Sequence, residues 1–532
     1  MITLFTAKSG KISARSEDRI IHSKYDPVRE ARRFVDERLK NPTTSVILLG
    51  AGLGYAYEAV KRRIPEAKII AVSYSKELYD NFVKSCSDSC IYLQDNSFFY
   101  RNLVNLLLPS DLDGLSVLEW PVLAELYPEK SLGAHEIIHR VLKQLHADLV
   151  TTSHFGRRWV TNCIENYLSL DTVSMPPAEW KGFPLVIAAS GPSLGSQIDL
   201  LTNFRDRYVL WALPSSLTAL DEAGIVPDLV ISTDAGFYSR FNFHYLSKVP
   251  PAVASPLSAI PIRSLAGFRR VLLHQTTFFE STFIEGSVPY FYRIGENGTA
   301  AGSALETALI AGFSRIIFAG LDLAFYDIQE HVKPHPFDIF LLTASGRTAP
   351  HSHKVFSRAF ELSDRSEGIS RGSYAYTIYA SWFDTVVPSL KVSVSRLGPV
   401  QFPVRGMETV PQEDFPALLP GDSLSGTLSW RDAAMPSVER RCAAVEGTVR
   451  SWTKIINQYS SYPLESAAAL LRSRSLFNRL LYTYDPLLVK MTLKHFVGND
   501  RKTSGVFFER LVKEAVDFYD SLLYRVGITD GT

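Results

Sequence analysis

Residues 184–194 read PLVIAASGPSL, and the fold class turns on that stretch. The run PLVIAA (184–189) shows no polar alternation, which predicts a strand buried on both faces, as in a parallel sheet covered by helices. Ser190-Gly191-Pro192-Ser193-Leu194 then predicts a tight turn into a helix. Gly191 permits an unusual backbone angle or a close ligand approach, and Pro192 stiffens the turn. The amides of Ser193 and Leu194, with the Ser193 hydroxyl, would point out of a helix N-terminus, a position that suits phosphate. Pro192 removes one donor, so the loop would hold phosphate with fewer amides than a P-loop. A plain strand-to-helix turn is the alternative.

Similar apolar runs recur outward from this point: YVLWAL (208–213), DLVIST (228–233), VLLH (271–274), YFYRI (290–294) and RIIFAG (315–320), with helical stretches between several of them. They predict a central doubly wound α/β domain over 176–390, entered through the Pro176-Pro177 linker. Residues 1–175 predict a Rossmann-like N-terminal domain. A hairpin is expected around Ser9-Gly10, then a helix from Pro27 capped by Asp26, strands at 46–49, 68–72 and 115–118, and a long helix over 132–170. Gly50-Ala51-Gly52-Leu53-Gly54 lies between the first of these strands and a helix. It is either a structural turn or a ligand site. It lacks the full GxGxxG spacing, and the next strand ends Ala71-Val72-Ser73-Tyr74 with no carboxylate for a ribose. Residues 391–430, rich in Pro, Gly and Ser, read as a connecting arm with a strand or two. Residues 431–532 carry apolar residues at three/four spacing and predict a helical C-terminal domain.

The chain has 532 residues, 56 Lys plus Arg against 55 Asp plus Glu, and four cysteines. Such a balanced charge argues against a whole-protein field that gathers nucleic acid. The cysteines (Cys86, Cys90, Cys163, Cys442) are too few to staple a fold of this size, and CxxxC without a nearby partner pair does not read as zinc. No apolar run approaches the roughly 20 residues of a membrane helix, and no signal-peptide core opens the sequence. The expectation is a soluble, cytoplasmic, multidomain protein with no membrane span.

Two further segments carry candidate chemistry. In PDLVISTDAG (227–236), Thr233 and Asp234 follow a predicted strand, at the edge where open α/β sheets bind ligands. Asp234 would hold a ribose hydroxyl or base amino group, bind a metal, or cap the following helix. In GTAAGSALETALIAGFSRIIFAGLDLAFYD (298–327), small residues let a helix start approach a ligand, Thr299 and Ser303 offer hydroxyls, and Asp322 ends the next strand. His331, His335, His351 and His353 then place four of the twelve histidines within 23 residues. That density points to a catalytic base more than to metal ligation.

Ser-Gly-Pro-Ser-Leu, PDLVISTDAG and the 298–327 segment together resemble the central domain of the motility-associated factor (Maf) family, which glycosylates flagellin. His22-Ser23-Lys24-Tyr25-Asp26-Pro27 with Glu30-Ala31, and the ILLGAGLGY turn, look like that family's N-terminal part. The same segments are similar, more distantly, to bacterial sialyltransferases with a GxGPSL-type loop, and to 6-hydroxymethylpterin diphosphokinases of the MptE-like kind. The Maf resemblance implies a glycosyltransferase with a sialyltransferase-like central domain. Its donor would be a nonulosonic acid (pseudaminic or legionaminic type) activated by cytidine monophosphate (CMP), and its acceptors Ser/Thr hydroxyls of flagellin. Donor binding would fall to Ser190, Gly191, Pro192, Ser193, Leu194, Thr233, Asp234, Thr299, Ser303 and Asp322. In the sialyltransferases the base is a histidine in a His-Ser context, best matched by His351-Ser352, with His353 and His331 as rivals. The tyrosines that usually surround it are not obvious in this chain. No cofactor is implied, although the two carboxylates leave a divalent metal open. The competing readings are a diphosphokinase-like phosphotransferase and a non-catalytic flagellin-binding assembly factor.

Overall fold

The computed structural model describes residues 2–39, 43–86, 89–244, 246–261, 267–295, 297–326, 329–356, 360–361, 371–400, 402–424 and 429–525. Two compact units are present: Met1–Arg157 with Val449–Leu522, and Arg158–Thr448 with Leu523–Thr532. Among the described residues, no helix is long and apolar enough to cross a membrane.

In the first unit, the strands β1 (Ser45–Leu49), β2 (Lys68–Ser73), β3 (Ser89–Tyr92) and β4 (Leu115–Glu119) form a parallel sheet in the order β3-β2-β1-β4. The uninterrupted SVILL sequence of β1 is buried throughout, as a central strand requires. The N-terminal hairpin pairs Ile2–Thr6 with Ile12–Ser16, and Asp26 caps the helix Pro27–Arg38 by accepting the Val28 and Arg29 amides. The helices Leu464–Leu471, Leu476–Tyr484 and Pro486–Val497 also belong to this unit.

The glycine turn after β1 is filled by the protein's own side chains. Gly50, Gly52 and Gly54 all have positive φ. The Leu53 amide donates to His22 Nε2 at 3.0 Å, and a Cβ on Gly52 would lie 2.3 Å from that nitrogen. Burial pushes the His22 imidazole down to a pKa of about 4, so the ring stays neutral and accepts this bond. Because the folded value lies below the ordinary one, the full contribution is present above about pH 6.5 and is lost as pH falls toward 4. We expect His22→Gln, which keeps an acceptor but cannot titrate, to remove about 3 kcal/mol of acid destabilisation between pH 6.5 and 4. Chemical denaturation of both proteins at several pH values measures it.

The second unit is built on nine parallel strands. In chain order they are β5 (Leu185–Ala188), β6 (Val209–Ala212), β7 (Leu229–Ile231), β8 (Ala252–Pro256), β9 (Arg269–His274), β10 (Tyr292–Arg293), β11 (Arg315–Ala319), β12 (Ser393–Leu397) and β13 (Glu408–Val410). Their order across the sheet is β10-β9-β8-β7-β6-β5-β11-β12-β13. Successive side chains of β5 pack on opposite faces: Leu185 and Ile187 join one apolar layer, Val186 and Ala188 the other. Strand β8 has no counterpart among the predicted runs. Its AVASP sequence is small and ends in proline, so it carries little strand signal of its own. Strands β12 and β13 come from the 391–430 segment and extend the central sheet beside β11.

The chain winds outward in one direction from β5 to β10 and in the other from β11 to β13. The order therefore reverses between β5 and β11, where Ala188 lies opposite Ala319. Such a reversal opens a crevice beyond the carboxyl ends of the two strands.

Candidate functional site

The loops after β5 and β11 leave the sheet side by side and bind each other directly. The Gly191 amide donates to the Gly320 carbonyl at 2.8 Å. A Cβ on Gly191 would sit 2.5 Å from Asp322 Oδ2 and 2.6 Å from the Gly320 carbonyl oxygen, so only glycine fits. Beyond it the helix α1 (Leu194–Asn203) begins.

The donors expected to receive phosphate are already engaged. The Ser193 amide donates to Asp322 Oδ2 at 2.7 Å, and the Ser193 hydroxyl donates to Asp322 Oδ1 at 2.5 Å. The Leu194 amide closes a turn onto the Gly191 carbonyl at 3.1 Å. A carboxylate of the protein thus stands where the sequence predicted an anionic ligand, because Asp322 leaves β11 directly beside the loop. Burial raises the Asp322 pKa, opposed by the two Ser193 bonds and by the nearby Arg396 guanidinium. Arg396 on β12 is 1% exposed and donates to the carbonyls of Leu321 and Phe402. Gln197 of α1 completes the joint, accepting from the Gly320 amide and donating to the carbonyls of Leu397 and Gly398.

Ser190 faces a different set of groups. Its hydroxyl accepts from Ser215 Oγ at 2.8 Å and lies 3.3 Å from His331 Nδ1, while its carbonyl accepts from the Val332 amide. The His331 ring stacks on His335 at 4.4 Å, with the planes 16° apart. His335 caps the helix α3 (Pro336–Thr343), and burial holds its pKa down at about 3. His331 is also lowered, mainly by burial. His351 and His353 lie elsewhere, on the short helix α4 (His351–Phe356); no described hydrogen bond or ring contact ties either to the loop.

The remaining predicted residues separate by burial. Asp234 is exposed, and its Oδ1 accepts from the Gly236 amide at 2.7 Å. Asn162, from the long helix Pro128–Ser169, anchors that turn by donating to the Ala235 and Ser258 carbonyls. Thr233 is half-buried. Thr299 opens the helix α2 (Ala300–Ala311) with no side-chain cap bond, so its hydroxyl is uncommitted there. Ser303, one turn further along, is 2% exposed, which removes its hydroxyl from the open edge. Among the described residues, no group of three or more His, Cys, Asp or Glu side chains is arranged to hold a metal.

Sequence reading missed Tyr376 and Tyr379 on the helix α5 (Tyr374–Val386). The Tyr376 hydroxyl donates to Glu330 Oε1 at 3.2 Å, and its pKa is raised by burial, with Glu330 and Asp322 adding to the shift. The Tyr379 pKa is raised by burial and by the Asp234 carboxylate. One helix thus carries tyrosines toward both carboxylates. The run SYAYTIY (373–379) was the available signal, since tyrosines three apart share a helix face.

Comparison with known proteins fits this architecture. Residues 161–327 match the family described as 6-hydroxymethylpterin diphosphokinase MptE-like. Two proteins of Treponema pallidum (strain Nichols), both described as uncharacterized, are similar. One is 25% identical over 315 residues, 58% of this chain and 66% of that protein; the other is 27% identical over 122 residues, 23% and 57%. The matches therefore span less than two-thirds of these curated relatives. The Maf glycosyltransferase of Magnetospirillum magneticum AMB-1 superposes with a TM-score of 0.67 at 11% identity, covering 99% of this chain and 93% of that one. The resemblance drawn from the sequence motifs thus extends to the fold of the whole chain.

Gly191→Ala tests the joint between the two loops. The added methyl cannot avoid both Asp322 and the Gly320 carbonyl, so we expect a loss of about 1–3 kcal/mol in urea denaturation, and less for Gly182→Ala, where a Cβ would meet nothing.

Proposed function

We propose that this chain is a glycosyltransferase that moves a nonulosonic acid, of the pseudaminic or legionaminic kind, from a CMP-activated donor to Ser/Thr hydroxyls of flagellin. The observation that carries this reading is the pairing of Ser190 and His331 at the sheet's reversal point, in a chain that shares the fold of a Maf glycosyltransferase from end to end. In the proposed complex the nucleotide lies along the carboxyl edge of the sheet. Asp234 and Thr233 take the nucleoside end, Thr299 lies at the helix start, and the loop Ser190–Leu194 lies at the phosphate end. Ser193 and Asp322 give that loop its shape instead of binding phosphate themselves.

Two charges must be managed in such a transfer. The acceptor hydroxyl loses a proton, and the departing phosphate gains negative charge that fixed donors stabilise. His331, which contacts Ser190 of the loop, and His351 and His353 are the candidates for the first task. General-base assistance is typically worth about 10²–10⁴-fold, so replacing the responsible histidine with Ala should lower turnover by that order while sparing CMP affinity. Equal turnover in His331→Ala, His351→Ala, His353→Ala and the parent protein would remove all three from the mechanism. The broader test is intact-mass analysis of flagellin from cells with and without this gene. We expect an added mass of nonulosonic-acid size that disappears in the deletion; unchanged flagellin would refute the assignment.

The match of residues 161–327 to an MptE-like family favours one second reading, diphosphate transfer from ATP. Among the described residues none form a protein-built Mg²⁺ cage: both Asp322 oxygens are bonded to Ser193, and Asp234 Oδ1 accepts from the Gly236 amide. In thermal-shift titrations we expect stabilisation by CMP and none by ATP with Mg²⁺; the reverse would select the second reading.

A further inference from the structure

Two asparagines one turn apart on the helix Pro128–Ser169 reach the loops at the carboxyl edge of the nine-stranded sheet. In TNCIENYL (161–168), Asn162 and Asn166 are four residues apart and share a helix face. They are 5% and 0% exposed, and a buried amide is costly unless it is hydrogen-bonded. Asn162 Nδ2 donates to the carbonyls of Ala235 at 3.3 Å and Ser258 at 3.2 Å. Asn166 Nδ2 donates to the carbonyls of Leu257, Ala259 and Ile260 at 2.7, 3.1 and 3.4 Å. Four successive carbonyls after β8 are thus taken by two side chains. A chain leaving its strand loses the ladder partners of its carbonyls, and these two amides replace them.

The same loop is held from its amide side. The Ser258 amide donates to Glu280 Oε1 at 2.9 Å and the Gln275 amide to Glu280 Oε2 at 3.0 Å, so one fully buried carboxylate ties the loops after β8 and β9 together. The Ile260 amide donates to the Asp234 carbonyl at 3.0 Å. Asp234 is therefore fixed at three points. Its own carbonyl accepts from Ile260, the next carbonyl accepts from Asn162, and its Oδ1 accepts from the Gly236 amide. Asp234 is nonetheless exposed. Three buried polar side chains thus serve a turn that presents a carboxylate to solvent, at the edge of the sheet where ligands bind in this architecture.

We infer that Asn162 and Asn166 are positioning residues: through the loop after β8 they hold the Asp234 turn so that its carboxylate meets the nucleoside half of the donor. The inference rests on the transferase reading above and deepens it by naming what sets the geometry of that contact. Both asparagines are buried and act only through the backbone they hold. A carboxylate accepts from a ribose hydroxyl or a base amino group over a narrow range of distance and angle, so a turn free to shift would lose those bonds.

Two measurements on the full chain test this. First, amide hydrogen exchange without ligand reads the clamp. We expect a strongly protected Ile260 amide in the parent protein. Exchange at Gly236 and Ile260 should be about tenfold faster or more in Asn162→Ala and in Asn162→Asp, which keeps the shape but removes the donors, with the amides of β5 unchanged. An unprotected Ile260 amide in the parent, or exchange unaltered in either variant, would overturn the inference whatever the ligand. Second, calorimetric titration with CMP and with cytidine completes a double-mutant cycle with Asp234→Ala. Asn162→Ala should weaken both ligands about tenfold when Asp234 is present, and by less than about twofold in the Asp234→Ala background. Equal loss in the two backgrounds, which a general structural effect would give, or no loss in either, would contradict the positioning role. A parent protein that binds neither ligand would refute the nucleotide reading itself, while the exchange result would still decide whether the asparagines hold the turn.

Discussion

Asp322 closes on Ser193 through two hydrogen bonds, and the organisation of the site follows from that contact. It ties the loop after β5 to the loop after β11 at the one place where the sheet changes its winding direction. Asp322 is buried and Ser193 half-buried, so leaving the carboxylate unpaired would cost the desolvation of a buried charge. Gly191 and Gly320 permit the approach, Gln197 bridges it from the helix, and Arg396 supplies positive charge near the carboxylate. With Ser193 so engaged, Ser190 is the residue of the bend whose hydroxyl faces the histidines.

This arrangement divides the signature loop into two parts with different work. Ser193 looks inward and maintains shape, whereas Ser190 looks toward Ser215 and His331. An anion approaching the crevice meets the Asp322 carboxylate if it aims at the helix start, and meets imidazole and hydroxyl groups if it lies further along the loop. Electrostatics therefore disfavours the helix N-terminus as the anion site here, although isolated helix starts generally attract negative charge. The first unit shows the same economy at its own glycine turn, where the His22 ring occupies the space a ligand would need.

Much of the fold was legible because buried parallel strands announce themselves as apolar runs: PLVIAA and RIIFAG marked β5 and β11 directly. Strand β8 was not, since its small residues pack well but carry weak propensity. The candidate site was legible only in its local parts. Ser190, Asp234 and Asp322 could be placed at strand ends from sequence because strand ends are local features. The Ser193–Asp322 contact joins residues 129 positions apart, and no spacing rule anticipates it. Ser215 and Arg396 enter the site for the same reason, through sheet order and not through any motif. Histidine density pointed to this stretch, but proximity in sequence could not separate His331, which contacts Ser190 of the loop, from His351 and His353, which sit on a separate helix.

The proposed donor site places a nucleotide in the crevice between β5 and β11. Hydrogen–deuterium exchange with and without saturating CMP would reveal it. Slowed exchange is expected in backbone amides at 189–196, 232–236, 320–326 and 329–332, with the glycine turn at 50–54 unchanged. Protection confined to that turn, or no protection at any of these loops, would contradict it.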